Sequence, residues 1–456
     1  MPRVFISAAH KSSGKTTLAL GLAAALHARG HAVQPFKKGP DYIDPLWLGM
    51  AARRPCYNLD FHMMRRDEIE QQFARAAASA RISLIEGNKG LYDGLDLDGS
   101  NSNAALAKLL GAPVVLVIDA RGMTRGVAPL ILGYQAFDRD IRIAGVILNQ
   151  LGGSRHESKL RAVIEHYTDV AVIGAVQHDP GMQIAERHLG LVPANEADAA
   201  RERIGRVGER VAAQVDLDRL LAIADSAAPR EAVAVASAVQ PVPRVRIGIA
   251  HDAAFGFYYS EDLDALRAAN VDLVELDTLH DADLPPLDGL ILGGGFPEVF
   301  MDRLEANAPL RGAIRRAIET GLPTYAECGG LMYLSKSLNW RGRTCEMVGA
   351  VPGDTVMHDR PVGRGYARLQ PTGDDRWQET DPIPAHEFHY SSLENLPADA
   401  IYAYSVARGH GIDGAHDGYQ RDNLLAGYVH RRGAGPQGWI GPFLNQVRAH
   451  KARVAA

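Results

Sequence analysis

A chain of 456 residues exceeds what one hydrophobic core supports, and 46% hydrophobic with 23% charged residues is ordinary for a globular enzyme, so two domains of roughly 200 residues each are expected. A formal charge of −5 with scattered Arg and Lys leaves no electrostatic footprint for nucleic acid, and no apolar run has the length of a membrane span. Cys56, Cys328 and Cys345 are too few and too odd a set for a disulfide framework, and the short apolar run from Val4 to Ala9 lacks signal-peptide flanks, so a reducing, cytoplasmic setting is expected.

Short apolar runs alternate with amphipathic stretches along the first half, the pattern of a parallel sheet covered by helices on both faces. Val4 to Ser7 reads as the first strand and Thr16 to Arg29 as its helix. Ala32 to Phe36, Ile82 to Glu86, Val114 to Asp119, Ile143 to Asn149 and Val172 to Val176 follow as strands. Ligands of such sheets sit beyond the carboxyl ends of the strands.

Between the first strand and its helix lies Ala9-His10-Lys11-Ser12-Ser13-Gly14-Lys15-Thr16-Thr17. Ala9 stands where the full phosphate-loop pattern has Gly, but the strand–turn–helix context is right. Backbone N–H groups of Ser12, Ser13 and Gly14 and the helix start would face phosphates. Lys15 would neutralise their charge, Thr16 would reach Mg2+, and Thr17 extends the motif.

The next strand ends supply carboxylates. Lys37-Lys38-Gly39-Pro40-Asp41-Tyr42-Ile43-Asp44-Pro45 places two acids and two lysines in one loop, and Glu86 closes a buried strand before Gly87-Asn88-Lys89-Gly90-Leu91-Tyr92-Asp93-Gly94. Asp41, Asp44, Glu86 and Asp93 are therefore candidates for Mg2+ and phosphoryl chemistry, since that ion takes one or two protein carboxylates and leaves the rest to phosphate and water. Asn149 could recognise adenine or simply form a loop.

From Glu196 to about Val242 the composition turns to Ala, Arg, Glu and Pro, with a helical pattern over Asp198 to Val215. The stretch reads as a linker. The expected division is 1–195 for ATP binding, 196–243 for the linker, 244–435 for a second α/β domain, and 436–456 for a C-terminal tail. Strands of the second domain are expected at Val245 to Ala250, Val271 to Leu276, Gly289 to Leu292 and Pro323 to Ala326.

Tyr325-Ala326-Glu327-Cys328-Gly329-Gly330 then puts a cysteine between a strand and a helix-like run. Such a turn exposes the thiol at a helix N-terminus and favours the nucleophilic thiolate. His386, His389, His410, His416 and His430 are candidate bases. His430 is favoured because it follows the strand-like Leu424 to Val429. Gly293-Gly294-Gly295 after another strand, with Gly329, would leave N–H groups for an oxyanion. His386-Glu387-Phe388-His389 lacks the zinc spacing His-Glu-x-x-His and reads as substrate contact or core. Cys56 and Cys345 read as packing.

A phosphate cradle and a nucleophilic cysteine in one chain suggest amidation driven by ATP and fed by glutamine. The same residues resemble the cobyrinic or hydrogenobyrinic acid a,c-diamide synthases. The matching words are Gly39 to Pro45, Glu86-Gly87 with Gly90 to Gly94, Arg187 to Leu191, Asp252 to Phe255 with Phe257-Tyr258-Tyr259, Gly293 to Glu298, Glu327 to Tyr333, and His386 to Ser391. The similarity runs from residue 1 to about residue 430.

The resemblance implies a dethiobiotin-synthetase-like, doubly wound P-loop domain joined to a class I glutamine amidotransferase-like α/β domain. It implies that acetate carboxylates of a tetrapyrrole are phosphorylated by ATP and attacked by ammonia, with Cys328 forming a glutaminyl thioester and His430 its base. The usual amidotransferase triad adds a glutamate two positions after the histidine. Arg432 stands there, so a Cys–His dyad is expected.

Three stretches depart from the family pattern: Leu46-Trp47-Leu48, Asn88-Lys89, and Arg431 to Gly435. They are expected around the activated carboxylate, where they would bear on which macrocycle enters. A similar variant is associated with amidation of sirohaem, which stands as the alternative substrate. A homodimer is one arrangement open to the chain. A partitioning-type ATPase switch, or a carrier that only binds tetrapyrrole, would leave the Cys328 turn without a role.

Overall fold

The computed structural model describes residues 1–184, 186–187, 190–196, 199–230, 242–373 and 380–455. His188 and Leu189 of the matching word Arg187 to Leu191 lie outside the described residues, as does 231–241 of the expected linker. The chain divides into two compact units, Met1–Ala236 and Ser237–Ala456.

In the first unit β1 (Arg3–Ala8), β2 (Val33–Lys38), β3 (Tyr57–Leu59), β4 (Ile82–Glu86), β5 (Val114–Asp119), β6 (Ile143–Leu151) and β7 (Val172–Gln177) form one sheet in the order β3-β2-β4-β1-β5-β6-β7. Every pairing in it is parallel. β1, β2 and β4 are buried at every position, as expected of strands covered on both faces. The sequence places six of the seven strands. β3 is only three residues long, too short to show a period.

The stretch expected to be a linker belongs in large part to this unit's core. Helices Ala200–Ala212 and Leu217–Asp225 bury Ile204, Val207, Val211, Leu217 and Leu220 in the same cluster as Leu18 and Leu22 of α1 (Lys15–Ala28). Glycine permits the close crossing. A Cβ on Gly21 would lie 2.4 Å from Val211 Cγ2, and one on Gly208 would lie 2.9 Å from Ala24 Cβ.

In the second unit Val271–Leu276, Val245–Ala250, Gly289–Leu292, Thr324–Glu327 and Leu424–Gly427 run parallel in that order. Antiparallel strands continue the sheet through His416–Arg421, Ile401–Arg408, Gly363–Pro371 and Ile383–His389 to the short His430–Arg431. The expected C-terminal tail is instead a helix, Ile440–Ala455, whose Ile440, Phe443, Leu444 and Val447 are buried at helical spacing. Trp439 stacks on Tyr325, with ring centroids 4.2 Å apart. Among the described residues no helix is long and apolar enough to cross a membrane.

Candidate active sites of the two units

β1 gives way to α1 through a turn in which Ser12 (φ 65°) and Gly14 (φ 80°) are left-handed. Gly is needed at 14, because its Cβ would fall 2.2 Å from Asn149 Nδ2. That amide donates to the Ser13 carbonyl at 2.9 Å and Ser13 Oγ donates to the His10 carbonyl at 2.8 Å, so the loop is braced from behind. Asn149 therefore acts on the loop in this structure rather than standing ready for a base. α1 begins at Lys15 with no side-chain cap, leaving its first N–H groups to a ligand. Ser12 is exposed, Gly14 and Thr17 are half-buried, and Lys15 is buried. Burial pushes the Lys15 ammonium down, an effect that Glu86 opposes.

The ends of β2 and β4 meet this loop because Lys37 and Glu86 are register partners. Thr16 Oγ1 donates to Glu86 Oε1 at 2.6 Å and to Asp44 Oδ2 at 3.3 Å. Lys37 Nζ lies 2.5 Å from Asp44 Oδ2, 3.2 Å from Glu86 Oε1 and 4.0 Å from Asp41 Oδ2. Asp41 Oδ1 accepts from the Asp44 N–H at 3.0 Å, and Asn58 Nδ2 pins the loop by donating to the Asp41 carbonyl at 2.7 Å. Burial pushes Lys37 down, but Asp44, Glu86 and Asp41 together outweigh it and raise it. Burial and the neighbouring Asp44 push Asp41 up to about 7. Glu86 is also raised by burial, and its Oε2 is a buried atom with no hydrogen-bond partner among the described residues.

Glu86 and Asp44 thus meet at Thr16, Asp41 joins them through Lys37, and Asp93 stands in the turn beyond β4. Asp93 accepts from the Gly90 N–H at 2.9 Å. Its turn is crowded. A Cβ on Gly90 would meet the Ala9 carbonyl at 2.8 Å and Asp93 Oδ2 at 2.9 Å, so Asp93 shapes the backbone beside the phosphate loop. Lys37 is the residue that sequence reasoning passed over, although a lysine ending a buried strand needs anionic partners. Among the described residues no group of three or more His, Cys, Asp or Glu is arranged to hold a metal ion.

Two of the departures resolve in different ways. Trp47 and Leu48 are buried in the first unit's core, Trp47 Nε1 donating to the Val192 carbonyl at 2.9 Å, and Leu46 packs against the same core. They are packing residues. Asn88 stays at the strand end, its N–H donating to Asn103 Oδ1 at 3.1 Å and its own Oδ1 3.5 Å from Lys38 Nζ.

In the second unit Thr324–Glu327 leads into Cys328, whose φ of 47° and ψ of −104° lie outside the regions open to ordinary L-residues, and the helix Gly329–Leu334 follows. Only glycine fits after it. A Cβ on Gly330 would lie 2.1 Å from the Leu292 carbonyl, and one on Gly329 would lie 2.9 Å from Gly295 N. The Gly294–Gly295 backbone, paired with Phe255–Phe257, therefore lies against the nucleophile turn, as an oxyanion site requires.

His430 is brought to the same place by chain direction. Leu424–Gly427 runs beside the nucleophile strand, and after Tyr428 and Val429 the chain pairs His430 with His386. The His430 ring stacks on His386 at 5.0 Å and 16°, and its Nδ1 is 3.3 Å from Glu327 Oε2. Burial pushes its imidazole down, but Cys328, through charge and a hydrogen bond, and then Glu327 carry it up to about 10. Arg432, which holds the expected glutamate's position, lies 3.6 Å from Glu261.

The other histidines have structural partners. His389 Nδ1 is 2.8 Å from the Ser391 carbonyl and its ring stacks on Tyr428, while Glu387 accepts from the N–H groups of His410 and Gly411 at 2.7 and 2.9 Å. His416 pairs with Asp413 at 2.9 Å. Cys56 and Cys345 are buried, and burial pushes both thiols up, in keeping with packing.

Residues 5–192 match the CobQ/CobB/MinD/ParA nucleotide binding domain, and residues 246–435 match the CobB/CobQ-like glutamine amidotransferase domain. The chain is 47% identical over 451 residues to the cobyrinate a,c-diamide synthase of Magnetococcus marinus, covering 97% of this chain and 96% of that protein. It is 43% identical to the synthase of the same name from Methanosarcina acetivorans, covering 95% and 93%, and 41% identical to that from Archaeoglobus fulgidus, covering 94% of each. With a phosphate loop facing a buried glutamate and two half-buried aspartates in one unit and a cysteine–histidine pair in the other, and with relatives aligned over nearly its whole length, the chain belongs to the cobyrinate a,c-diamide synthase family.

Proposed function

We propose that this chain, an amide-forming ligase fed by glutamine, converts acetate carboxylates of a cobyrinate-type tetrapyrrole to amides through an acyl phosphate. The observation that carries the reading is the gathering of Lys37, Asp41, Asp44 and Glu86 at Thr16, directly beside the phosphate loop. A carboxylate oxygen is a poor leaving group, and transfer of the terminal phosphoryl group of ATP to it makes a displaceable phosphate. Ammonia then forms the C–N bond while the C–O bond to phosphate breaks.

Lys15 and the N–H groups at the start of α1 would hold the nucleotide phosphates. The buried, unpartnered Glu86 Oε2 beside Thr16 fits Mg2+, a hard ion that needs only one or two protein carboxylates. When bound with ATP, magnesium neutralises phosphate charge. Thr16 and Glu86 would hold it, Asp44 and Asp41 would keep Lys37 in place, and Lys37 would face the charge that develops on the transferring group.

In the second unit the Cys328 sulfur would attack the glutamine side-chain amide, with backbone N–H groups of Gly295 and Gly329 receiving the oxyanion. His430 would pass the thiol proton to the departing ammonia, and water would then hydrolyse the thioester. A cytoplasmic site of action is supported by three cysteines that are all free.

The test offers purified protein ATP, Mg2+ and glutamine with cobyrinic acid, hydrogenobyrinic acid or sirohaem in parallel, and reads the tetrapyrrole by mass spectrometry. A diamide of the corrinoid is the expected product. Conversion of sirohaem alone would reassign the substrate and leave the chemistry standing, while nucleotide turnover with no amide on any of the three would overturn the reading.

A further inference from the structure

We infer that Glu327, the residue immediately before the nucleophile, is the carboxylate that orients His430, in place of the glutamate that class I amidotransferases carry two positions after the histidine. The inference rests on Cys328 and His430 being nucleophile and base. Arg432 occupies the usual position and is turned to Glu261, so any orienting carboxylate must come from elsewhere in the fold. Glu327 is buried and ends the strand that also carries Tyr325. As residues two apart on a strand, both side chains leave the same face.

The two oxygens of Glu327 have separate duties. Oε1 accepts from the Tyr325 hydroxyl and, at 2.9 Å, from the Arg431 N–H, which fixes the carboxylate in one orientation. Oε2 is left for His430 Nδ1 at 3.3 Å. With Nδ1 engaged, the nitrogen left for the thiol is Nε2. The groups facing the ring are then Cys328 and Glu327 from the nucleophile strand and turn, and His386 stacked across it, itself 3.2 Å from the Tyr259 hydroxyl. Arg431 directs its guanidinium to the Tyr404 hydroxyl, where its charge acts on Tyr325, and gives Glu327 its backbone N–H.

A carboxylate on Nδ1 selects the tautomer that can take the Cys328 proton at Nε2, and it stabilises the imidazolium that later protonates the leaving ammonia. Glu327 is thus a positioning residue, acting on the reaction through His430. The backbone ties the three together. Glu327 is the register partner of Gly427, three residues before His430, so the nucleophile and the orienting group come from one turn and the base from the neighbouring strand's continuation.

Glu327→Gln tests this, because the amide oxygen can still accept from Tyr325 and Arg431 while an NH2 group opposes Nδ1–H. Glutaminase kcat/KM is expected to fall by about 100-fold or more. The basic limb of its pH profile, expected near 10 in the unsubstituted enzyme, should move down by at least about one unit. An unchanged kcat/KM, or a fall with the limb unmoved, would overturn the assignment. If Glu327→Gln does not fold, nitrogen NMR of the imidazole on the unsubstituted protein, assigned by its response to alkylation of Cys328, decides instead. Read above about pH 10, where the ring is neutral, His430 is expected to keep its proton on Nδ1, and a neutral ring protonated on Nε2 instead overturns the assignment. Cys328→Ala run in parallel separates the two readings, since glutaminase surviving that change removes the underlying site whatever Glu327 does.

Discussion

Lys37 Nζ stands 3.2 Å from Glu86 Oε1, an ammonium and a carboxylate both withdrawn from water at the point where two neighbouring parallel strands end beside the phosphate loop. Neither charge is tolerable there alone. Asp44 and Asp41 crowd the same ammonium, so Lys37, with Lys15 acting on Glu86 beside it, lets three carboxylates share one pocket.

Lys37→Met should therefore destabilise the first unit by about 3–5 kcal/mol, the cost of leaving buried carboxylates without their partner. The readout is the urea midpoint without nucleotide. Adding Mg2+ and ATP should restore part of the loss, since a divalent ion would supply charge to the same oxygens. A midpoint within error of the unsubstituted protein would show that the pocket does not depend on this cation.

The two units should fail separately. Cys328→Ala is expected to reduce glutamine-driven amidation by at least about a thousandfold while ammonium salts still support the product. Glu86→Gln should lower turnover at least about a hundredfold with either nitrogen source. Both nitrogen sources failing in a folded Cys328→Ala protein would contradict the division of labour, and substantial turnover by Glu86→Gln would remove Glu86 from the phosphoryl site.

The His430 ion pair also carries a stability signature. Burial pushes this imidazole down, Cys328 and Glu327 overcome it, and the folded value of about 10 stands above the roughly 6.5 of an unfolded histidine. In that window the folded state holds the extra proton, so stability falls as pH rises. The contribution is complete below about pH 6.5 and lost by the time pH passes about 10. Urea midpoints measured between those limits should decline for the unsubstituted protein and decline less for His430→Asn. Parallel declines would show that other groups set the slope.

Much of this was legible in the chain because strand ends and glycine turns are local. Ile82 to Glu86 declares a buried strand with a terminal acid and Cys328-Gly329-Gly330 a strand-to-helix turn, and the structure places both, although the thiol expected to be exposed is buried. The backbone bond of Asp93 was not legible, since an acid in a glycine-rich loop can face a ligand or its own turn, and here one oxygen accepts from the Gly90 N–H. The Glu327–His430 contact was hidden for another reason. It joins residues 103 apart through the pairing of separate strands, and the motif's own spacing pointed to position 432. Ala and Arg richness over 200–225 suggested a linker, although Ile204, Val207 and Val211 already carried the helical period that packs on α1.

The C-terminal helix should be needed for the second unit to fold. Residues 440–455 form a helix whose Ile440, Phe443, Leu444 and Val447 fill the core beneath the nucleophile strand, and Gly289 is kept small by Val447, whose Cγ2 would lie 2.8 Å from a Cβ there. Removing a single such side chain from a core costs about 2–5 kcal/mol, so losing four together is comparable to the whole of the about 5–15 kcal/mol that holds a typical domain folded. A chain ending at Gly438 should lose glutaminase activity and the cooperative unfolding of the second unit. It should retain nucleotide binding by the first unit, measured by fluorescence of a labelled ATP analogue. Full glutaminase activity in that truncated chain would return residues 440–455 to the status of a dispensable tail.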